Sequence, residues 1–331
     1  MDLLIVTNNP DRASFRQRIG VYLDILRDNH INCEVERFPS GSLARRMLFK
    51  KTANFDGVFI HKKRLNSFDA FWLRRYAQKV IYDFDDAVMY SDKHTDRPSR
   101  KRQKSFNRTV KLADMVIAGN SYLAEHVRES NTSVNVLPTG LDTHTYKPKA
   151  DLKNNGNLRL VWIGSKSTLG YLVALKPALE EIGSRFDNVV LRIICDVFFD
   201  LNNLEVEKCQ WSLKTEVIDL AAGDIGLAPL PDNRFTRGKC GFKILQYSAS
   251  GLPVVASPVG ANAEYIQDGT NGFYAVDDSD WIEKISLLLK DSQLRQQMGR
   301  AGRQKVKQFD LKVLGKRLVS LVEGCLEKVE T

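Results

Sequence analysis

The chain of 331 residues is short of cysteine, of histidine and of long apolar runs, and each shortage removes a class of protein. Cys33, Cys195, Cys209, Cys240 and Cys325 are scattered without a Cys-x-x-Cys pair. This excludes a disulfide scaffold or a zinc framework and fits reduced thiols in a cytoplasm. His30, His61, His94, His126 and His144 have no metal-ligand spacing, and each reads as a surface or helix-end residue. The opening apolar run, Leu3 to Val6, stops at Asn8-Asn9-Pro10. It is too short for a signal segment or a membrane span and reads as a first β-strand. Neither a Gly-x-Ser-x-Gly elbow nor a Walker loop is present, which sets aside common hydrolase and P-loop chemistry.

What is present is strand and helix in alternation. The length carries a prior of roughly two domains, and 43% hydrophobic residues suffice for two cores. In the first set, strands are expected near Leu3–Thr7, Asn32–Phe38, Gly57–Ile60, Val80–Tyr82, Met115–Ala118 and Val134–Leu137. The second set lies near Leu158–Ile163, Val189–Ile194, Ile225–Ala228 and Pro253–Ala256. A polar stretch from Lys147 to Asn157 reads as the linker, giving domains 1–150 and 151–310 followed by a helix over 311–331. Such alternation predicts an α/β protein with a doubly wound parallel sheet in each half and a ligand crevice between the halves.

The most informative stretch is residues 234–272. Gly238 and Gly241 punctuate a loop that enters a short helix, Gly251 closes that helix, and Pro253-Val254-Val255-Ala256 reads as a buried parallel strand. Free amides at the helix start, near Gly241 and Phe242, attract an anion, and Arg237, Lys239 and Lys243 add positive charge to the same loop. A second junction, Ile163-Gly164-Ser165-Lys166-Ser167-Thr168, is a strand, a glycine turn and a hydroxyl-rich helix start. There Ser167 or Thr168 can cap the helix and the amides can face phosphate, although capping alone also explains the hydroxyls.

These residues, with Pro258-Val259-Gly260, Glu264 and Asp268-Gly269-Thr270-Asn271-Gly272, resemble the nucleotide-sugar site of glycosyltransferase family 4, the retaining GT-B enzymes, and within it a subgroup with a Gly-Lys-Cys loop. The resemblance implies two Rossmann-like domains, with a nucleotide-diphosphate sugar on the second and an acceptor on the first. It also implies a C-terminal helix that crosses back to the first domain. The donor-side residues it implies are Gly164, Ser165, Lys166, Thr168, Trp211, Arg237, Lys239, Gly241, Phe242, Lys243 and Gln246. Trp211 either lies against the nucleobase or is an ordinary half-buried aromatic. One departure stands out. The family's two glutamates, eight positions apart, are here Gly238 and Gln246; Gln246 can still bond a ribose hydroxyl, whereas Gly238 reaches nothing.

In the first half, Asp83, Asp85 and Asp86 end a strand at the edge where an α/β crevice opens. They read either as caps or as carboxylates that orient an acceptor hydroxyl and offset oxocarbenium charge. Asp83-Phe84-Asp85 also has the D-x-D form of a metal motif. That reading is rejected because it does not call for a second parallel-sheet half, and no metal and no cofactor are expected. Arg16 and Arg18 follow the first strand. The resemblance places them on the phosphate side of the acceptor domain, while a solvated helix-face arginine is the default for each.

Charge is uneven: the first 150 residues carry essentially all of the net +9. Arg97 to Lys111 contains no acid, and Phe68, Phe71, Trp72 and Tyr76 recur at near-helical spacing among Arg74, Arg75 and Lys79. Such a half seeks an anionic partner, either an acceptor or an acidic membrane surface. Nucleic acid is not expected, for want of an aromatic stacking platform. The function expected is a metal-independent, retaining transferase acting on a glycan, lipid-linked or polymer acceptor in cell-surface polysaccharide or glycoconjugate synthesis, cytoplasmic and peripheral to the membrane. An epimerase or phosphorylase on the same fold is a second enzyme reading. The non-enzyme alternative is a nucleotide-sugar-binding, catalytically weakened partner in a glycan assembly complex, which Gly238 brings to mind.

Overall fold

The computed structural model describes residues 1–91, 95, 98–131, 133–148 and 156–327. His94, Arg97 and most of the expected linker, including the boundary at 150, lie outside the described residues. The chain divides into two compact units: Met1–Gly140 with Asn233–Cys240 and Phe309–Thr331, and Leu141–Asp232 with Gly241–Gln308. The division at Gly140 precedes the expected linker. Nothing in the sequence pattern predicts the grouping of Asn233–Cys240 with the first unit.

In the first unit, six parallel strands, β1 (Asp2–Thr7), β2 (Asn32–Arg37), β3 (Gly57–His61), β4 (Val80–Phe84), β5 (Met115–Ala118) and β6 (Val134–Val136), are ordered β2-β1-β3-β4-β5-β6. β3, β4 and β5 are buried along their whole length, which is why they read as unbroken apolar runs rather than alternating ones. The register pairs Val6 with Ile60 and His61 with Asp83, so Thr7, His61 and Asp83 stand in a row at the carboxyl edge. The strand order reverses direction between β1 and β3, the place where open α/β sheets hold ligands. The C-terminal helix Leu311–Leu326, capped by Asp310, buries Leu314, Leu318, Val322 and Leu326 and packs on the helix Leu23–Asp28, where Gly315 meets Ile25.

The second unit repeats the design. β7 (Leu158–Ile163), β8 (Val189–Cys195), β9 (Glu205–Gln210), β10 (Ile225–Ala228), β11 (Val254–Ala256) and β12 (Gly272–Tyr274) are all parallel, in the order β12-β11-β10-β7-β8-β9. Its switch point lies between β7 and β10. Gly251, at φ +76°, ends the helix Phe242–Ala249 in the left-handed conformation that a side chain disfavours. The helix Ser292–Val306 packs on that helix so closely that a Cβ on Gly299 would stand 2.1 Å from the Gly251 carbonyl oxygen. Because backbone cannot give way as a side chain can, Gly299→Ala is expected to destabilise this unit by about 1–3 kcal/mol. The check is the urea midpoint, and an unchanged value would contradict the close approach.

Candidate active site

Each unit presents one cluster of functional side chains at the carboxyl edge of its sheet. In the second unit, β7 ends at Ile163 and the chain turns at Gly164. From a helix eighty residues later in the chain, Lys243 donates to the Ile163 carbonyl and stands with its ammonium 4.4 Å from the centre of the Trp162 ring. A Cβ on Gly164 would lie 2.2 Å from the buried Trp162 ring and 2.7 Å from that ammonium, so glycine leaves the space for both. Gly241, at φ +63°, starts this helix, followed by the half-buried Phe242. A cation and a helix N-terminus thus meet a glycine turn at the switch point, an arrangement suited to a diphosphate. Lys166 is exposed on the same turn.

The hydroxyls of that turn do not cap the helix as expected. Thr168 Oγ1 accepts from the Ser165 amide at 3.2 Å and donates to the Ser165 carbonyl at 3.1 Å, while the Ser165 and Ser167 hydroxyls bond each other at 2.9 Å. They stiffen the loop. Gln246 is also turned inward: it is 4% exposed, and its amide donates to the Tyr146 hydroxyl at 3.1 Å. Tyr146 donates in turn to Glu216 at 3.2 Å, and the other oxygen of Glu216 accepts from the Trp211 indole at 2.9 Å. Trp211, just past the end of β9, is therefore half-buried with its ring orientation fixed by a buried carboxylate. Sequence reasoning missed both Tyr146 and Glu216.

In the first unit, Arg18 is buried rather than a solvated helix-face arginine. It is 1% exposed and grips the fully buried Asp83, with Nη2 to Oδ1 at 2.6 Å, and it donates Nη1 to the Leu137 carbonyl at 2.6 Å. Burial alone would lower the guanidinium's pKa, but Asp83 and Asp85 outweigh it and raise it. Asp83 is accordingly held in a buried ion pair. Arg16 is exposed.

The residues beside this pair carry no motif in the sequence. His61 is buried rather than a surface or helix-end group. Its Nδ1 lies 3.0 Å from Thr7 Oγ1, and its Nε2 has no hydrogen-bond partner among the described residues. Burial lowers its pKa to about 4 against the pull of Asp83 and Asp85, so the imidazole is neutral at pH 7. Lys62 follows at φ +55°, a backbone state that costs a non-glycine residue energy and recurs at functional sites. Its ammonium pairs with Asp85 and, at 2.7 Å, with Asp86. Burial would lower the pKa of Lys62, but the two carboxylates raise it; the matching effect on Asp85 is a pKa well below the usual range, against its own burial. Thr139 donates to Asp85 at 3.3 Å. Of the three acids, Asp86 has the most exposed side chain, at 34% against 6% for Asp85 and 1% for Asp83. The signal that could have found His61 and Lys62 is position alone: both stand where β3 ends at the carboxyl edge.

Lys239 and Arg237 belong to this unit rather than to the unit that carries Lys243. The buried Asn120 donates its amide to the carbonyls of Arg237 and Lys239 at 3.1 and 3.0 Å, and Tyr122 donates to the Arg234 carbonyl at 3.1 Å. Lys239 reaches Asp86 at 3.4 Å. A Cβ on Gly238 would lie 2.6 Å from that of Ala87 and 2.8 Å from its amide nitrogen, so the residue that replaces the first glutamate of the resembled family has no room for a side chain. Among the described residues no group of three or more His, Cys, Asp or Glu is arranged to hold a metal ion, and no helix is long and apolar enough to cross a membrane.

Residues 203–291 match the family model described as glycosyl transferases group 1. No curated protein matches the chain. Among solved structures, Anabaena Alr3699/HepE in complex with UDP-glucose is similar with a TM-score of 0.72 at 16% identity, covering 98% of this chain and 100% of that one. A glycosyltransferase from Rickettsia africae ESF-5 gives 0.72 at 15% identity over 99% of each chain. WaaG, a glycosyltransferase involved in lipopolysaccharide biosynthesis, gives 0.67 at 14% identity, covering 97% of this chain and 100% of that one. With its two six-stranded parallel sheets, the chain has the fold of the GT-B glycosyltransferases.

Proposed function

We propose that the protein is a glycosyltransferase that takes a sugar from a nucleotide-diphosphate donor to a hydroxyl of a glycan, lipid-linked or polymer acceptor, with retention and without a metal. The observation that carries this is Lys243 set over the Gly164 turn at the switch point of the second sheet. The donor diphosphate lies there, held by Lys243, Lys166 and the amides at Gly241 and Phe242, and Trp211 borders the base. A uridine nucleotide is the first choice, because a neighbour of this fold was solved with UDP-glucose. Charge that is already in place for the leaving diphosphate contributes about 3–4 kcal/mol for a key donor. On the first unit, Asp86, Lys62 and Lys239 take the acceptor side. Asp83 and Asp85 are held in ion pairs with Arg18 and Lys62, which suits a reaction in which the donor's own phosphate, rather than a carboxylate base, receives the acceptor proton. The setting is cell-surface polysaccharide or glycoconjugate synthesis on the cytoplasmic side.

Thermal shift with UDP, UDP-glucose and GDP tests the donor site, since a ligand stabilises the folded state by its concentration relative to Kd. Lys243→Ala is expected to weaken UDP binding by about 1.5–3 kcal/mol, the value of a charge-assisted hydrogen bond. Unaltered UDP affinity in that variant removes Lys243 from the site. With donor and acceptor supplied, UDP release is expected to persist in chelator; its abolition by chelator and rescue by a divalent ion would contradict the metal-free reading. Gly238, packed on Ala87, also favours a second reading as a binding subunit without turnover. Nucleotide binding with no release in the presence of any acceptor pool would select it.

A further inference from the structure

The outer helices of the first unit carry an apolar patch that the proposed reaction does not use. Leu43 and Met47, on the helix Ser42–Lys51, are 69% and 66% exposed, and Phe68 and Phe71, on the helix Ser67–Tyr76, are 43% and 61% exposed. The two helices pack side by side. Arg46 lies over Trp72 at 4.0 Å, and both Phe68 and Phe71 set their rings edge-on against Trp72, at 6.2 and 5.2 Å. Phe68 and Phe71 thus flank one Arg–Trp contact, and Leu43 and Met47 stand exposed on the helix that supplies its arginine.

Its rim is cationic. Arg46, Lys50 and Arg75 are exposed on the same two helices, Arg74 is paired with Asp114 at 2.8 Å, and Asp69, beneath them, is buried against Arg45. The next helix, Arg100–Leu112, packs against Ser67–Tyr76 and contains no acidic residue. Its outer side forms a shallow depression of about 700 Å³ lined in part by Arg100, Lys104, Arg108 and Lys111. Apolar side chains that stand out of a surface, bordered by arginine and lysine, are what an interfacial protein sets into the headgroup region of an anionic bilayer. A second copy of the chain is a poor occupant, because a two-fold contact on this patch would set arginines against arginines. Nucleic acid satisfies the cations but leaves Leu43, Met47, Phe68 and Phe71 without a partner.

We infer that this helical layer is a docking surface for an anionic lipid bilayer, with Leu43, Met47, Phe68 and Phe71 entering the headgroup boundary and the flanking cations meeting lipid phosphates. The inference narrows the acceptor to a lipid-linked one only if the transferase reading above holds.

The test is co-sedimentation of the full chain with vesicles of phosphatidylcholine alone or mixed with phosphatidylglycerol. Binding is expected for the mixed vesicles, little for the neutral ones, and less as salt is raised. Met47→Ser/Phe71→Ser, at positions too exposed to carry the fold, is expected to lower binding roughly tenfold. Replacing Arg100, Lys104 and Lys111 by Gln is expected to lower it about fivefold per residue. Equal binding to both vesicle types, or to neither, would overturn the inference. So would indifference to the apolar double substitution, retention of a single-stranded oligonucleotide that survives it, or a dimer that it dissolves. The UDP thermal shift is expected to be unchanged in both variants, so failure on vesicles leaves the donor reading intact, and loss of UDP binding in the unaltered chain leaves the lipid result standing.

Discussion

Replacing Arg18 by Met is expected to destabilise the first unit by about 3–5 kcal/mol, the cost of leaving a buried charge without its partner. Arg18 fills three hydrogen-bonding needs at once: both oxygens of Asp83, through Nε at 3.1 and 3.3 Å and Nη2 at 2.6 Å, and the Leu137 carbonyl beyond the end of β6. Asp83 is fully buried, so water cannot take over from the guanidinium. The paired substitution Arg18→Met/Asp83→Leu removes both charges and is expected to recover most of the loss, because a buried ion pair and an apolar pair of similar volume are often close in energy. Urea midpoints of the three proteins decide the matter. A double variant no more stable than the single one would show that Arg18 acts by packing rather than by neutralising Asp83.

That pair also marks where the sequence can be read and where it cannot. Asp83, Asp85 and Asp86 are legible as an edge cluster because a strand that ends in carboxylates announces its carboxyl end. Their division of labour is not. Asp83 is neutralised by a residue 65 positions away, and no local pattern distinguishes Arg18 from an exposed helix arginine such as Arg16. His61 is misleading for the same reason. A single histidine carries no spacing signal, and only the register that sets it between Thr7 and Asp83 gives it a place.

All ten strands expected from the sequence are present, and two more, β9 and β12, are not marked in it. β9, Glu-Val-Glu-Lys-Cys-Gln, is an edge strand whose polar residues meet water and the arginines of its neighbours: Glu207 accepts from Arg159 at 3.0 Å and from Arg192 at 2.7 Å. β12 has three residues, too few to show a period. The segment Asn233–Cys240 reads in the sequence as a glycine loop ahead of a helix, and the structure groups it with the first unit. Its docking is set by Asn120, Tyr122 and Ala87, more than a hundred residues earlier, and Gly238 is glycine because of that contact.

Between pH 7 and pH 4 the protein is expected to lose roughly 3 kcal/mol of stability through His61 alone. Its pKa falls from the ordinary value of 6.5 to about 4 on folding, and a tenfold change in proton affinity corresponds to about 1.4 kcal/mol. The cause is burial, which the attraction of Asp83 and Asp85 only partly offsets, with Lys62 and Arg18 adding to the drop. Between those two pH values the unfolded chain takes up a proton that the folded one refuses, so stability rises with pH across this window and is complete above it. Asp85 contributes in the same direction but lower down. Its pKa is depressed to about 2, so its share is lost only as pH falls from its ordinary range, near 4, toward 2. The two groups are therefore separable on the pH axis. His61→Asn keeps an oxygen or nitrogen within reach of Thr7 Oγ1 and cannot titrate, and its stability is expected to be flatter than that of the unaltered protein from pH 6.5 to 4. Urea denaturation at half-unit steps of pH measures both curves. If they run parallel, His61 is not the group whose neutrality the first sheet's edge maintains. If they diverge as expected, the imidazole at the switch point is neutral at working pH, with Nε2 buried and without a hydrogen-bond partner among the described residues.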